Sequence, residues 1–177
     1  MTNNKAGQPL SGAQLRERQK QNKPLNTGPG IIASNIKTPE NAGSILRVAD
    51  AAGCSRVIFC GSDVFQEQRK VERISRAASR HMAIQSMSEE ELVTQARQFQ
   101  PVVALELTDA SKPVHETNID MFAWVMLGSE SRGIPLPLLS ICSAAVHIPM
   151  YGEMGSMNVS HALAIYLYEW RRQHETV

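Results

Sequence analysis

From Gly30 onward the chain is punctuated by short apolar runs, "GIIAS", "RVIFCG", "MAIQSM", "PVVALEL", "FAWVMLG" and "AVHIP", many of them β-branched. Runs of this length and composition predict strands buried on both faces. Helical signals lie between several of them. Thr38 is placed to cap a helix with Pro39 at its first position and Gly53 just past its end, and Ser88 with Glu91 forms a capping box opening "EEELVTQARQFQ". A last helix is expected from about Ser156 to Gln173, with Val159, Leu163, Tyr166 and Trp170 along one face. Strands alternating with helices imply an α/β fold, an open and mainly parallel sheet flanked by helices. At 177 residues and 42% apolar side chains, the chain suits one core.

Residues 1–29 read differently. Lys5, Arg16, Arg18, Lys20 and Lys23 against Glu17 leave the first thirty residues at +4 and the remainder at −3, within a net charge of +1. Rich in Gln, Asn, Gly and Pro, this segment cannot bury enough surface to fold alone, and it is expected to be a flexible basic arm with a short helix around "AQLRERQKQ". A solubilising tail and an arm that neutralises a polyanion both fit it. The remainder, 30–177, is expected to form the folded domain. Cys54, Cys60 and Cys142 lack metal-ligand spacing, and no signal peptide or bilayer-length apolar run is present, so a cytoplasmic protein with reduced thiols, no metal and no membrane contact is expected.

In open α/β sheets, ligands sit beyond the carboxyl ends of the strands. This directs attention to "SNIKTPENAG", "MLGSESRGIP" and "IPMYGEMGSMN". None carries a dinucleotide fingerprint, a P-loop lysine or a serine-hydrolase elbow. In the first helix, Arg47 lies about 200° from Ile45 at 100° per residue, opposite the buried stripe of Ile45, Ala49 and Ala52. Gly43, four residues earlier, removes a side chain beside it, and Asn41 stands in the first turn. An ion pair with Asp50 on a solvated face is the plain alternative for Arg47. In the second loop, Glu130 lies between Gly128 and Gly133, either as a surface carboxylate on a tight turn or as an acceptor aimed at a ligand. In the third, Gly152 and Gly155 precede Ser156, a candidate N-cap, followed by Asn158 and Ser160.

Together these loops resemble the three motifs of the SpoU/TrmH family of RNA ribose methyltransferases, in the SPOUT superfamily. The carrying stretches are "ENAGSILRVADAAG", "LGSESRGIP" and "IPMYGEMGSMNVSHALAIYLYEW", in the family's order and spacing, across about Ile31 to Arg172. The resemblance implies a sheet whose C-terminal part forms a trefoil knot, a homodimer, and S-adenosylmethionine as cofactor. By the motif match, Leu105, Gly128, Ile148, Ser156 and Met157 are expected to hold the cofactor, and Asn41, Arg47, Glu130, Ser156 and Asn158 to form the catalytic pocket. The implied reaction is methylation of a ribose 2′-hydroxyl in structured RNA, with transfer RNA slightly favoured over ribosomal RNA. The resemblance gives Arg47 as the candidate to remove or share the hydroxyl proton; because a guanidinium is a weak base at neutral pH, it is assigned first to phosphate binding and orientation of the hydroxyl, with base action as the other reading. By its length the chain is expected to lack the added RNA-binding domain of roughly a hundred residues that some members of the family carry. RNA contact therefore falls to the dimer surface, the arm and "QRKVERISRAASRH", where Arg69, Lys70, Arg73, Arg76 and Arg80 outnumber the glutamates; a salt-bridged solvated helix is the other reading of that run. A SPOUT enzyme acting on an RNA base and a noncatalytic RNA-binding or assembly protein remain alternatives.

Overall fold

The computed structural model describes residues 6–21, 28–62 and 82–174. The basic run Arg69, Lys70, Arg73, Arg76 and Arg80 lies outside the described residues, as do Lys5 and Lys23. In chain order the elements are α1 (Gly12–Gln21), β1 (Ile31–Ser34), α2 (Pro39–Ala51), β2 (Arg56–Cys60), β3 (Ala83–Met87), α3 (Glu89–Thr94), β4 (Val102–Leu105), β5 (Lys112–Pro113), β6 (Trp124–Leu127), α4 (Leu136–Leu139), β7 (Ala144–His147) and α5 (Val159–His174). Short 3-10 turns at Ala96–Phe99 and Val114–Glu116 complete them.

All six expected strands form and, with a seventh, β5, pair in parallel in the order β3, β2, β1, β6, β4, β7, β5; β3, at the edge, is largely exposed and not buried on both faces as expected. β5 was not legible: it is a two-residue edge strand ending in proline, which an edge tolerates because one side of it needs no amide donor. Alternation along the strands splits the core in two. Ile31, Ala33, Val57, Phe59, Val103, Val125 and Leu127 face α2 and α5; Ile32, Ile58, Cys60, Val102, Ala104, Trp124 and Met126 face α3, α4 and the Ala96–Phe99 turn. The result is a three-layer sandwich with helices on both sides of the sheet, as the continuous apolar strands require.

Helix boundaries follow local chemistry. The Thr38 hydroxyl accepts from the Asn41 amide at 3.3 Å with Pro39 next to it, and the Ser88 and Glu91 side chains each accept from the other's backbone amide, at 3.1 and 2.7 Å. The expected helix over "EEELVTQARQFQ" is shorter than the pattern suggested. It ends at Thr94 and tightens into the 3-10 turn, since Gln100 precedes Pro101 and adopts an extended ψ of 144°. The last helix begins at Val159, not near Ser156. Asn158 is its cap: its Oδ1 accepts from the Ser160 amide at 2.9 Å, while Gly155 and Ser156 are exposed. The face named from the sequence, Val159, Leu163, Tyr166 and Trp170, is buried.

α1 forms where expected, opened by Ser11 and Gln14 bonding reciprocally, and none of its residues is buried. The three cysteines are free thiols, and burial pushes Cys54 and Cys60 up to about 12 and Cys142 up to about 11. No helix among the described residues is long and apolar enough to cross a membrane.

Gly30 enters β1 against the Trp124 indole, which Phe99 meets edge-on at 5.0 Å and the Arg56 guanidinium covers at 4.6 Å. A Cβ at position 30 would lie 2.3–2.5 Å from three atoms of that ring. Held on two sides, the indole cannot turn away without unpacking its layer. Gly30→Ala is therefore expected to destabilise the fold by about 1–3 kcal/mol, the usual cost of overpacking, read as a lower midpoint in chemical denaturation at unchanged slope.

Candidate functional site

The carboxyl ends of β6, β4 and β7 lie side by side in the sheet, Leu105 opposite Leu127 and Val146. The chain leaving each strand therefore arrives at one edge. Beyond that edge is a cavity of about 200 Å³ whose wall includes Leu105, Leu127, Gly128, Ile148, Ser156, Met157 and Val159. All five residues expected to hold a cofactor line it.

The loop after β6 makes its floor. It folds back on itself, Gly133 donating to the Ser129 carbonyl at 2.8 Å, so that residue 133 passes directly over residue 128. A Cβ on Gly128 would lie 2.0 Å from the Gly133 carbonyl carbon, a separation no side chain survives. Gly133 itself has φ +63°. Here glycine is needed twice, once for close approach and once for a left-handed backbone.

Beside the cavity, residues far apart in sequence form one hydrogen-bonded group. Asn41 Nδ2 donates to both Glu130 oxygens at 3.2 and 3.1 Å, and Asn158 Nδ2 donates to Glu130 Oε1 at 2.9 Å and to Asn41 Oδ1 at 3.0 Å. Ser160 secures the far end, its hydroxyl donating to Asn158 Oδ1 at 2.6 Å. Asn41 is in the first turn of α2 and Asn158 caps α5, so the Glu130 carboxylate faces the amino-terminal ends of two helices, where a negative charge is favoured. The amide orientations follow from this network: with Asn158 Oδ1 occupied by Ser160, its Nδ2 must point at Glu130.

Arg47 is exposed on α2 as the helical geometry required, and it has no hydrogen bond or ion pair with any described residue; the Asp50 pairing does not form. Neither does a bond to Asn41. Ser156 lies on the wall of the same cavity as Glu130 but has no hydrogen bond to the Asn41–Glu130–Asn158 group. Sequence reasoning passed over four residues of this region. Ser160 was noted as polar but not as the brace of Asn158, although an asparagine two residues before a serine is an Asx-turn pattern. Ser129 has a buried hydroxyl with no partner among the described residues. His147, whose Nδ1 is 2.9 Å from the Ser111 hydroxyl, and Glu106 also line the cavity. Glu106 was findable, since it is the charged residue at the carboxyl end of an apolar strand. No group of His, Cys, Asp and Glu suited to a metal occurs among the described residues.

Asn158→Asp tests the network. The acceptor that caps α5 is kept, but the donor facing Glu130 Oε1 and Asn41 Oδ1 becomes a second carboxylate oxygen. Like charges this close raise a carboxyl pKa above its unfolded value, so the deficit is absent at low pH and grows as pH rises through the raised value. The variant is expected to lose about 1–3 kcal/mol at pH 8 and to recover much of it near pH 4.5, measured by urea denaturation at both values.

Known proteins resemble this chain in sequence and fold. The model of the SpoU rRNA Methylase family matches residues 29–168. A Staphylococcus epidermidis protein named for the TrmH family of tRNA/rRNA methyltransferases is 29% identical over 163 residues, covering 89% of this chain and 64% of that protein. The structure of an AdoMet-bound rRNA methyltransferase from Sinorhizobium meliloti superposes with a TM-score of 0.75 at 26% identity, covering 89% of this chain and 60% of its own. An RNA 2′-O ribose methyltransferase superposes with a TM-score of 0.73 at 31% identity, covering 86% of this chain and 58% of its own. This chain thus spans less than two thirds of each relative's length. With the family model running from the entrance of β1 into the last helix, the chain belongs to the SpoU/TrmH family of S-adenosylmethionine-dependent RNA methyltransferases.

Proposed function

We propose that the protein methylates a ribose 2′-hydroxyl of structured RNA, a transfer RNA in preference to a ribosomal RNA. The observation that carries this reading is the adjacency of two things: a cavity lined by Leu105, Gly128, Ile148, Ser156 and Met157, and the Asn41–Glu130–Asn158 group beside it. The likeness to an RNA 2′-O ribose methyltransferase supports it.

The cavity residues suit S-adenosylmethionine. A purine and a methionyl chain call for apolar walls with a few polar atoms in reach. Leu105, Leu127, Ile148, Met157 and Val159 supply the first, and the unpartnered Ser129 hydroxyl is available for the second. The cofactor supplies an electrophilic methyl on a sulfonium. Held by Leu105, Gly128, Ile148, Ser156 and Met157, it would offer that methyl to the ribose oxygen.

The residues of the chain have three tasks in this scheme. Glu130, fixed by two asparagine amides, orders the wall between cofactor and RNA. Asn41 and Asn158 hold it, and Ser156 shapes the pocket on the cofactor side. Arg47 binds phosphate and orients the hydroxyl, a role suited to an exposed guanidinium with no competing carboxylate partner among the described residues. Bringing it to the reacting oxygen is a task for a second copy of the chain. The groove between α2 and α5, about 600 Å³ and lined by Val48, Ala51, Ala164, Leu167 and Tyr168, supports pairing through that face, with Tyr168 80% exposed beside it. We further propose the family's C-terminal trefoil knot, and a role in RNA contact for the basic arm and the Arg69–Arg80 run.

Incubation with methyl-labelled S-adenosylmethionine and separate pools of undermodified transfer and ribosomal RNA, followed by nucleoside mass spectrometry, tests the proposal. A labelled 2′-O-methyl nucleoside is expected, and a labelled base would overturn it. Arg47→Ala is expected to reduce transfer at least a hundredfold, the order of a lost orienting group, while cofactor affinity measured by calorimetry changes less than about twofold.

A further inference from the structure

The cavity wall carries charge of one sign. Glu106 and Glu130 both line it, and neither lysine nor arginine does among the described lining residues. The two carboxylates are not equivalent. Glu130 is taken up by the Asn41 and Asn158 amides and faces two helix ends. Glu106 is held by neutral backbone donors: its Oε1 accepts from the Leu107 amide at 3.0 Å and its Oε2 from the Ile134 amide at 3.0 Å. It has no ion-pair partner among the described residues. The Ile134 bond ties the end of β4 to the loop after β6, the Leu107 bond is local, and together they stop the side chain from swinging out to water. The packing is close as well, since a Cβ on Gly133 would lie 2.5 Å from Glu106 Oε2. A fixed carboxylate beside Leu105, Leu127, Ile148 and Met157 has its field less screened than one in bulk water.

We infer that Glu106 sets the charge preference of this cavity, favouring the cationic methyl donor over the uncharged-sulfur product. The inference rests on the function proposed above and deepens it. S-adenosylmethionine carries a sulfonium, an ammonium and a carboxylate, one net positive charge; S-adenosylhomocysteine has a thioether in place of the sulfonium and no net charge. Both ligands offer the same adenosine and amino-acid groups to the pocket. The apolar walls and the loop backbone therefore contribute almost equally to the two, and a fixed negative charge does not. Its attraction is lost at the moment the methyl leaves, which holds the substrate and loosens the product. Glu106 is a specificity residue in this account and takes no part in moving the proton.

Calorimetric titration of the full chain with each ligand separates this role from the structural one. Glu106→Gln removes the charge and keeps one acceptor for the loop. It is expected to weaken S-adenosylmethionine binding roughly tenfold while S-adenosylhomocysteine binding changes less than about threefold, so the ratio of the two dissociation constants shifts. Glu106→Asp keeps the charge but shortens the brace; both ligands should weaken together, leaving the ratio near that of the unaltered chain. Should Glu106→Gln fold poorly in a thermal melt, the unaltered chain gives the same answer, since added salt should weaken the cationic ligand more than the neutral one. Equal loss of both ligands in Glu106→Gln, or a ratio indifferent to salt, would overturn the inference and leave the proposed function standing. Failure of S-adenosylmethionine to bind the unaltered chain would overturn both.

Discussion

The parallel alignment of α2 and α5 is the constraint from which the site follows. The two helices are joined at both ends. At their amino ends Asn158 donates to Asn41, and at their carboxyl ends the Arg171 guanidinium reaches the Ala52 carbonyl, with Nε at 2.9 Å. Ala52 is the C-cap of α2, so this contact satisfies a carbonyl that the helix leaves open and places a cation at the negative end of its dipole. Gly53, at φ +70°, leaves room for the guanidinium: a Cβ there would lie 2.5 Å from it. Between the clamps, Ile45 and Ala49 of α2 and Leu163, Tyr166 and Leu167 of α5 close the core over one face of the sheet.

Two parallel helices held in this way bring their amino ends to the same level, which is the level of the strand carboxyl ends because each helix packs on a parallel sheet. The loop after β6 arrives there with Glu130. A carboxylate that would be unremarkable on a solvated turn becomes the meeting point of two asparagines and two helix dipoles. The fold and the site share their causes here: the clamp that closes the hydrophobic layer is the same one that sets the distance between Asn41 and Asn158.

Much of this was legible one stretch at a time. The strand runs, the Thr38 and Ser88 caps, the outward direction of Arg47 and the buried face of α5 all depend on residues within a few positions of one another, where periodicity and capping rules act. The three loops could be assigned to one edge because parallel strands share a direction. What could not be read were relations across the chain. Arg171 and Ala52 are 119 positions apart, and nothing local to either announces the other. The start of α5 was misplaced for a related reason: Ser156 and Asn158 are both good caps, and the choice between them was made by Ser160 and Glu130. Likewise the position of Glu106 at a strand end is local, but the bond that fixes its carboxylate comes from the Ile134 amide of another strand's loop.

The separation between Asn41 and Asn158 also bears on how the molecule comes to be. Their bond closes a span of 117 positions, and the sheet that supports it is built from parallel pairings, which cost chain entropy before they return any contact energy. Until α5 docks, Val57, Phe59 and Val125 have one face without its cover. The polar group at the sheet edge thus has no stable precursor: any folding intermediate lacking α5 lacks the Asn158 corner, the adjoining wall at Ile148–Val159 and the lid of the core together. Completion of the polar group and final burial of the hydrophobic layer therefore depend on the same docking of α5.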